Sequence, residues 1–384
     1  MILRIALGIW MITTFTACSE QPATTPSPTA EPQPTAVAET TPVAVLTPTP
    51  EAIDPWEAYQ KFFLRDGRIV DTGNGDISHS EGQGYALLLA VAHDDRAAFD
   101  SIWNWTRENL GREKDHLFAW SWKPDEKGKG GAIADPNNAS DGDLLIAWAL
   151  YRGSVKWDVA EYKTAAGEIL DDLERLCLGK FGGHLLMLPG LEGFKKDEGW
   201  VVNPSYWVFP AFTELAVAYP DAPWKALHAT GLDLVEKGRF SPWELPPDWL
   251  LVRKDGTLGL PDEQFEKVYG YNAVRVPLYL LWDAQRNPEW FSGYRALIAK
   301  NDGVAKIPAT VLLPSGAKGP HPVLSGMSSI YRMVLEMRAP LPGPPYLGPV
   351  ADEVYYSATL GLLCNLVASE QKARSSPETE GTPR

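Results

Sequence analysis

Ser78-His79-Ser80-Glu81-Gly82-Gln83-Gly84-Tyr85 runs without a break into Ala86-Leu87-Leu88-Leu89-Ala90-Val91-Ala92. A polar loop rich in Ser and Gly thus delivers Glu81 to the first turn of an apolar helix. Two readings fit Glu81. One is a plain helix start, with Ser80 as N-cap and Glu81 as a favourable first-turn acid. The other is a proton donor held at the edge of a cleft. The second reading carries a tension, because the helix dipole stabilises the carboxylate whereas a proton donor needs its pKa raised. Apolar packing or a second carboxylate must then outweigh the dipole.

The same arrangement recurs downstream. Asn138-Ala139-Ser140-Asp141-Gly142-Asp143 opens onto Leu144-Leu145-Ile146-Ala147-Trp148. Asp141 and Asp143 are two apart and do not share a helical face, so at most one points into a given cleft and the other reads as a capping or solvent carboxylate. Tyr271-Asn272-Ala273-Val274-Arg275 opens a third helix, and Asn272 and Arg275, three apart, can face one way; the plainer reading is an Asn cap and an Arg paired with a nearby acid. Helical periodicity is present over 82–93, 95–110, 141–153, 159–177, 206–219, 223–236, 273–285, 288–300, 323–338 and 353–367. Strand-like alternation is scarce. Gly/Pro/Asn/Asp-rich loops fill 66–80, 123–140, 184–204 and 239–270. The chain therefore reads as all-α, either a helical-hairpin solenoid or a closed toroid. No fixed repeat is visible, which argues against a regular repeat protein. Long loops gathered at one end of a helical ring are where a cleft would form.

The 384 residues carry 35 Lys and Arg against 49 Asp and Glu, a net charge of −14, which argues against nucleic acid because phosphate binding needs a Lys/Arg surface. Fifteen Trp lean towards a carbohydrate cleft, although most should be ordinary core. At the N-terminus, Met1-Ile2-Leu3-Arg4 precedes an apolar stretch from Ile5 to Phe15 and then Thr16-Ala17-Cys18. That stretch is shorter than the roughly 20 residues a bilayer span takes. It reads as a lipoprotein-type signal over 1–18 that leaves Cys18 lipidated, with an ordinary secretory signal as the alternative. The expected location is the periplasm or the outer membrane, with the membrane reached through the lipid only. Residues 19–50 form a Pro/Thr-rich tether, about 100 Å long if extended at ~3.1 Å per residue. The globular body is expected at 51–368 and a disordered tail at 369–384. Cys177 and Cys364 read as buried free thiols, and no metal-ligand spacing or cofactor motif is present.

Taken in order, Ser80-Glu81-Gly82-Gln83-Gly84-Tyr85, Ala139-Ser140-Asp141-Gly142-Asp143 with Trp157 further on, and Tyr271-Asn272-Ala273-Val274-Arg275 resemble glycoside hydrolase family 8. The likeness runs through most of 54–367. It implies an (α/α)6 barrel and inverting hydrolysis of internal β-1,4 bonds in a cellulose-like β-glucan, with xylan, chitosan and mixed-linkage glucan as alternative substrates. Within the family, the exported endoglucanases that accompany bacterial cellulose synthesis are nearest, which would make the cellulose synthase machinery a partner. By motif, Glu81 would be the general acid. Asp141 would bind and distort the sugar on the non-reducing side of the scissile bond. Tyr271 and Arg275 would hold the hydrogen-bond geometry. Trp120 or Trp122, in Leu117-Phe118-Ala119-Trp120-Ser121-Trp122, would stack on sugar, and Tyr206 with Tyr355 or Tyr356 would be further cleft aromatics, with packing roles as the alternative for each.

One departure matters. In the commonest branch of the family the residue before Ala-Val-Arg is an Asp acting as general base, and here it is Asn272. Inversion needs a second carboxylate roughly 6.5–9.5 Å from the acid, with a water between, and an amide cannot take that water's proton. Three explanations stand. Another loop supplies the base, with Asp262, Glu263 or Glu266 as candidates and Asp248 as a weaker one; or the protein is a catalytically impaired, membrane-tethered glucan binder; or Asn272 is an introduced change.

Overall fold

The computed structural model describes residues 54–126, 130–283, 287–337 and 343–375. The expected signal peptide, Cys18 and the tether lie outside the described residues. Eleven α-helices are present among them: α1 (Pro55–Phe63), α2 (Ser80–Ala92), α3 (Arg96–Leu110), α4 (Ser140–Trp157), α5 (Ala160–Asp172), α6 (Phe209–Ala218), α7 (Trp224–Lys237), α8 (Arg275–Trp282), α9 (Ser292–Ala299), α10 (Ser325–Leu335) and α11 (Tyr355–Ser375).

Two kinds of helix alternate from α1 to α10, and composition explains which is which. In α2 every residue from Gly82 to Val91 is buried, as expected of a helix apolar on all sides. Most of the first two-thirds of α4 and α11 is likewise buried. In α3 only Ala98, Phe99, Ile102, Trp103, Thr106 and Leu110 are buried, the 3–4 spacing of a helix with one wet face. The buried kind forms an inner ring in which α2 packs on α4, α4 on α6, α6 on α8, α8 on α10, α10 on α11, and α11 back on α2. The amphipathic α1, α3, α5, α7 and α9 lie outside it. This is the (α/α)6 barrel that the resemblance implies, closed rather than an open solenoid.

Three features depart from the expected layout. First, α11 continues to Ser375, so the boundary at 368 falls inside a helix. Its last turns are held because Glu370 accepts from the Trp282 indole N–H at 2.6 Å and from Arg152 at 2.6 Å. Second, α1 has no counterpart among the expected helices; Asp54 caps it through Trp56 N–H at 2.8 Å. Third, the loops are not structureless, since they carry small antiparallel sheets. One of these pairs Ser78–His79 with Ala119–Pro124 and that strand with Gly131–Asn138. Such two- to eight-residue strands are too short to show alternation in the sequence. Cys177 and Cys364 are both buried and unpaired.

Candidate active site

The N-terminal ends of the inner helices converge, and one side chain collects what they carry. Arg275, at the start of α8, is 1% exposed. Its Nη1 donates to Glu81 Oε2 from α2, to Asp141 Oδ2 from α4 at 3.1 Å and to the Tyr85 hydroxyl at 3.0 Å. Its Nη2 donates to Ser205 Oγ at 2.8 Å and to Asn272 Oδ1 at 2.9 Å. A buried guanidinium needs this many acceptors, because its planar fork has five N–H groups and no access to water.

The backbone explains how two carboxylates from different helices meet on one cation. A side chain at Gly142 would place its Cβ 2.3 Å from Ser80 Oγ and 2.8 Å from Glu81 N. Only hydrogen in that position lets the first turns of α2 and α4 touch, which sets Glu81 beside Asp141. The Ser80 and Ser140 positions are fully buried in this contact, and Ser140 Oγ donates to Leu188 O at 2.7 Å. Gln83 locks the loop before α2, its carbonyl accepting from Ile69 N–H at 2.6 Å and its amide donating to Thr106 Oγ1 at 2.8 Å.

The electrostatics follow from one cation facing two acids. Burial, then the neighbouring Glu81, pushes the Asp141 carboxyl well above the usual range. Burial also works to raise Glu81, but Arg275 and His79 outweigh it and leave Glu81 below its ordinary value. The two carboxyls are hydrogen-bonded to each other. The two carboxyls thus titrate as a unit, with protonation favoured on Asp141 and disfavoured on Glu81. The anticipated tension at Glu81 is real: the helix start and Arg275 both favour its anion, and burial opposes them.

The other expected residues divide between half-buried positions and the core. Tyr206 is half-buried, hydrogen-bonded to Asp141, and lies beneath Arg275 with the guanidinium 5.8 Å from its ring centre. It sits in a short Pro204–Tyr206 turn capped by Asn203, which also accepts from Ser205 Oγ at 2.8 Å. Tyr271 and Tyr356 are half-buried and meet edge-on at 6.3 Å, and the Tyr356 hydroxyl donates to Tyr271 O. Tyr355, by contrast, is core: it is fully buried between Tyr59, Phe63 and His79. Trp122 is also core, 6% exposed, with Trp105 edge-on at 5.4 Å and the Arg68 guanidinium over its ring at 4.9 Å. Trp120 is half-buried. It stands next to Ser121, which pairs with His79 two residues before Glu81, in a strand that shifts register at Ser121.

Asp143 is neither a cap nor a solvent carboxylate. It is fully buried, accepting from Phe118 N–H at 2.8 Å and Asn138 Nδ2 at 2.8 Å, and burial pushes it up to about 7. It ties the strand bearing Trp120 to α4. Asp262, Glu263 and Glu266 are exposed on the surface turn between Leu258–Gly259 and Val268–Tyr269, where Asp262 caps its own turn through Gln264 N–H at 3.0 Å. The fold does not bring these three to the cluster. The acid it brings to the Asn272 turn is Asp248, buried, whose Oδ1 accepts from Gly270 N–H at 2.9 Å and Ala273 N–H at 2.8 Å. Burial raises Asp248 to about 6 against the pull of those N–H groups. Tyr85, Ser205 and Tyr279, whose hydroxyl meets that of Tyr85 at 2.5 Å, are site residues that the sequence reading did not assign. Tyr85 and Ser205 each neighbour an assigned residue, but only the Arg275 contacts reveal them. No group of acids, His or Cys among the described residues has metal-binding geometry.

Two carboxyls and an arginine gathered at helix starts in a helical barrel suit acid-assisted bond cleavage, the chemistry of a hydrolase. Residues 37–369 match the family described as Glycosyl hydrolases family 8, and the chain belongs to that family. It is 36% identical over 326 residues to a probable endoglucanase of Novacetimonas hansenii, covering 84% of this chain and 92% of that one. Against an endoglucanase of Cellulomonas uda it is 41% identical over 228 residues, covering 59% of this chain and 62% of the relative. A crystal structure of a family 8 endoglucanase from Klebsiella pneumoniae superimposes with a TM-score of 0.75 at 35% identity, covering 83% of this chain and 99% of that one.

Proposed function

We infer that this chain is an inverting endo-β-1,4-glucanase acting on cellulose-like glucan, with Glu81 as proton donor. The observation that carries this reading is the Glu81–Asp141 pair on Arg275, an acid dyad in which the Glu81 side chain is 18% exposed while Asp141 and Arg275 are 1% exposed. When a sugar chain covers the mouth, water leaves Glu81 and its anion loses solvation. A proton on Asp141 can then cross the hydrogen bond between the two carboxyls and reach the glycosidic oxygen through Glu81. Asp141, once ionised, faces the sugar on whose ring positive charge develops. Tyr206 holds Asp141, while Trp120, Tyr271 and Tyr356 offer ring faces at the rim. The experiment is release of reducing ends from carboxymethylcellulose, with the new anomer read by proton NMR. The reading predicts α-configured ends first. Folded protein that releases none at high loading overturns it.

A second reading is favoured by one specific observation. Asn272 Oδ1 is committed to Arg275, so the group left to the cleft is Nδ2, a donor that cannot take a proton from water. A slow or silent glucan-binding protein with the same site follows, and it predicts cello-oligosaccharide binding without turnover. The N-terminal apolar stretch and Ala17-Cys18 support a reading of export and lipid anchoring at Cys18, with the periplasm or the outer membrane as the proposed location. Loss of labelled-palmitate incorporation on Cys18→Ser tests that. A role beside the cellulose synthase machinery rests on the family likeness.

A further inference from the structure

His79 stands two residues before Glu81, with its backbone extended and its side chain turned back as the N-cap of α2. Its Nδ1 accepts the Gly82 N–H at 3.0 Å. Its Nε2 faces Asp71 Oδ2 at 3.6 Å, both side chains being largely buried. The loop that carries Asp71 is itself pinned: Asp71 Oδ1 accepts from Gly73 N–H at 3.1 Å, and Thr72 Oγ1 accepts from Tyr355 N–H, on α11, at 3.3 Å. The Tyr355 ring closes the remaining side of the imidazole, edge-on at 5.6 Å. The space is tight, since a Cβ on Gly82 would lie 2.8 Å from the Tyr355 hydroxyl and 3.2 Å from His79 Cε1.

This geometry dictates a tautomer. A backbone N–H only donates, so Nδ1 must offer its lone pair and the ring proton must sit on Nε2, towards Asp71. A second proton has nowhere to go but Nδ1, and it cannot enter without breaking the cap. We propose that His79 is a positioning residue for Glu81 that also works as a proton-operated latch: neutral, it caps α2 and seats Glu81 against Asp141 and Arg275; protonated, it releases the cap and the seat is lost. The proposal rests on Glu81 being the proton donor. Every charged group facing the ring has a defined effect. Burial and Arg275, on α8, oppose an imidazolium. Asp71 from the loop and Glu81 on α2 favour it and prevail, raising His79 above its ordinary value. Tyr355, on α11, is pushed far above the ordinary phenol range and stays neutral. The latch therefore opens as pH falls through a midpoint that Asp71 and Glu81 hold above the ordinary imidazole value of about 6.5, against burial, Arg275 and the cap itself. Released, the imidazolium also holds Glu81 as an anion, a second reason for a falling rate.

The test uses the full chain labelled with 15N-histidine and two-bond 1H–15N correlation spectra, with His79 assigned by its absence in His79→Asn. The expected spectrum shows the Nε2–H tautomer at high pH and a midpoint above about 6.5. Glu81→Gln should lower that midpoint by at least about half a unit, because an amide no longer attracts the imidazolium. In kinetics, His79→Asn keeps an oxygen for the Gly82 N–H and does not titrate, so kcat at high pH should stay within about threefold while the acid limb moves down. His79→Ala should lose about tenfold in kcat above the wild-type midpoint with KM little changed, and the gap to wild type should close below it. An Nδ1–H tautomer in the folded protein, a midpoint unmoved by Glu81→Gln, or a wild-type acid limb in His79→Asn overturns the proposal. The spectra need no turnover. A fully active Glu81→Gln enzyme would instead remove the proton-donor assignment and leave the tautomer result standing.

Discussion

Replacing Asn272 by Asp is the perturbation whose outcome says most about this site. The side chain keeps its shape, and one oxygen keeps the bond from Arg275 Nη2, now 2.9 Å long. What changes is the other branch, where an NH2 donor becomes an acceptor able to take a proton from water. General-base assistance contributes about 10²–10⁴ in rate, or ~2.7–5.4 kcal/mol off the barrier at 1.36 kcal/mol per tenfold. The same change has a cost that the structure lets us locate. Three carboxyls would then share one guanidinium that already serves Glu81 and Asp141. A like charge at ~4–6 Å moves a carboxyl by about 1–3 units. Acids whose pKa is raised in the folded state stabilise it below their unfolded pKa, and that stability is lost as pH rises through the folded value. Asn272→Asp should therefore melt lower than wild type at pH 8 and nearly level with it at pH 5. The assay is kcat on carboxymethylcellulose, with cellohexaose affinity measured alongside. A folded variant with unchanged affinity and a kcat within about threefold of wild type refutes the reasoning, and the base must then come from elsewhere.

Three more outcomes follow from the same geometry. Glu81→Gln should lower kcat by about 10²–10⁴ while cello-oligosaccharide affinity, measured by calorimetry, holds. Gly142→Ala drives a methyl into Ser80 Oγ and the Glu81 backbone; it should cost about 1–3 kcal/mol in denaturant unfolding and most of the activity, because α2 and α4 must part. Asp248, raised to about 6 from 3.8, favours folding while protonated, so its contribution of up to about 3 kcal/mol fades as pH rises from about 4 through 6. Asp248→Asn keeps an oxygen for the Gly270 and Ala273 N–H groups and should flatten the stability profile across that window, as followed by urea melts at several pH values.

The helical class was legible in the sequence because burial on all sides and burial on one side leave different periodicities. Stretches such as Ala86–Ala92 and Arg96–Leu110 announce helices without any structure, and the burial of the folded chain sorts them into inner and outer. The positions of Glu81, Asp141, Asn272 and Arg275 were legible for a related reason, since each sits where a polar loop enters an apolar helix. Periodicity reports that a face is buried but not what it is buried against. Trp120 and Trp122 look equivalent in sequence, and a register shift at Ser121 together with the pressure of Trp105 and Arg68 sends one to the core. Tyr355 and Tyr356 are neighbours on one helix, so their rings must diverge, and only packing on Tyr59 and Phe63 says which one leaves the cleft. Asp143 became a buried tie, and Asp262, Glu263 and Glu266 a surface turn, for partners distant in the chain. The meeting of Glu81, Asp141, Ser205 and Arg275 across as many as 194 positions belongs wholly to the tertiary structure. It depends on closing the ring so that helix starts converge, and ring closure is a property of all the helices at once that no local stretch encodes.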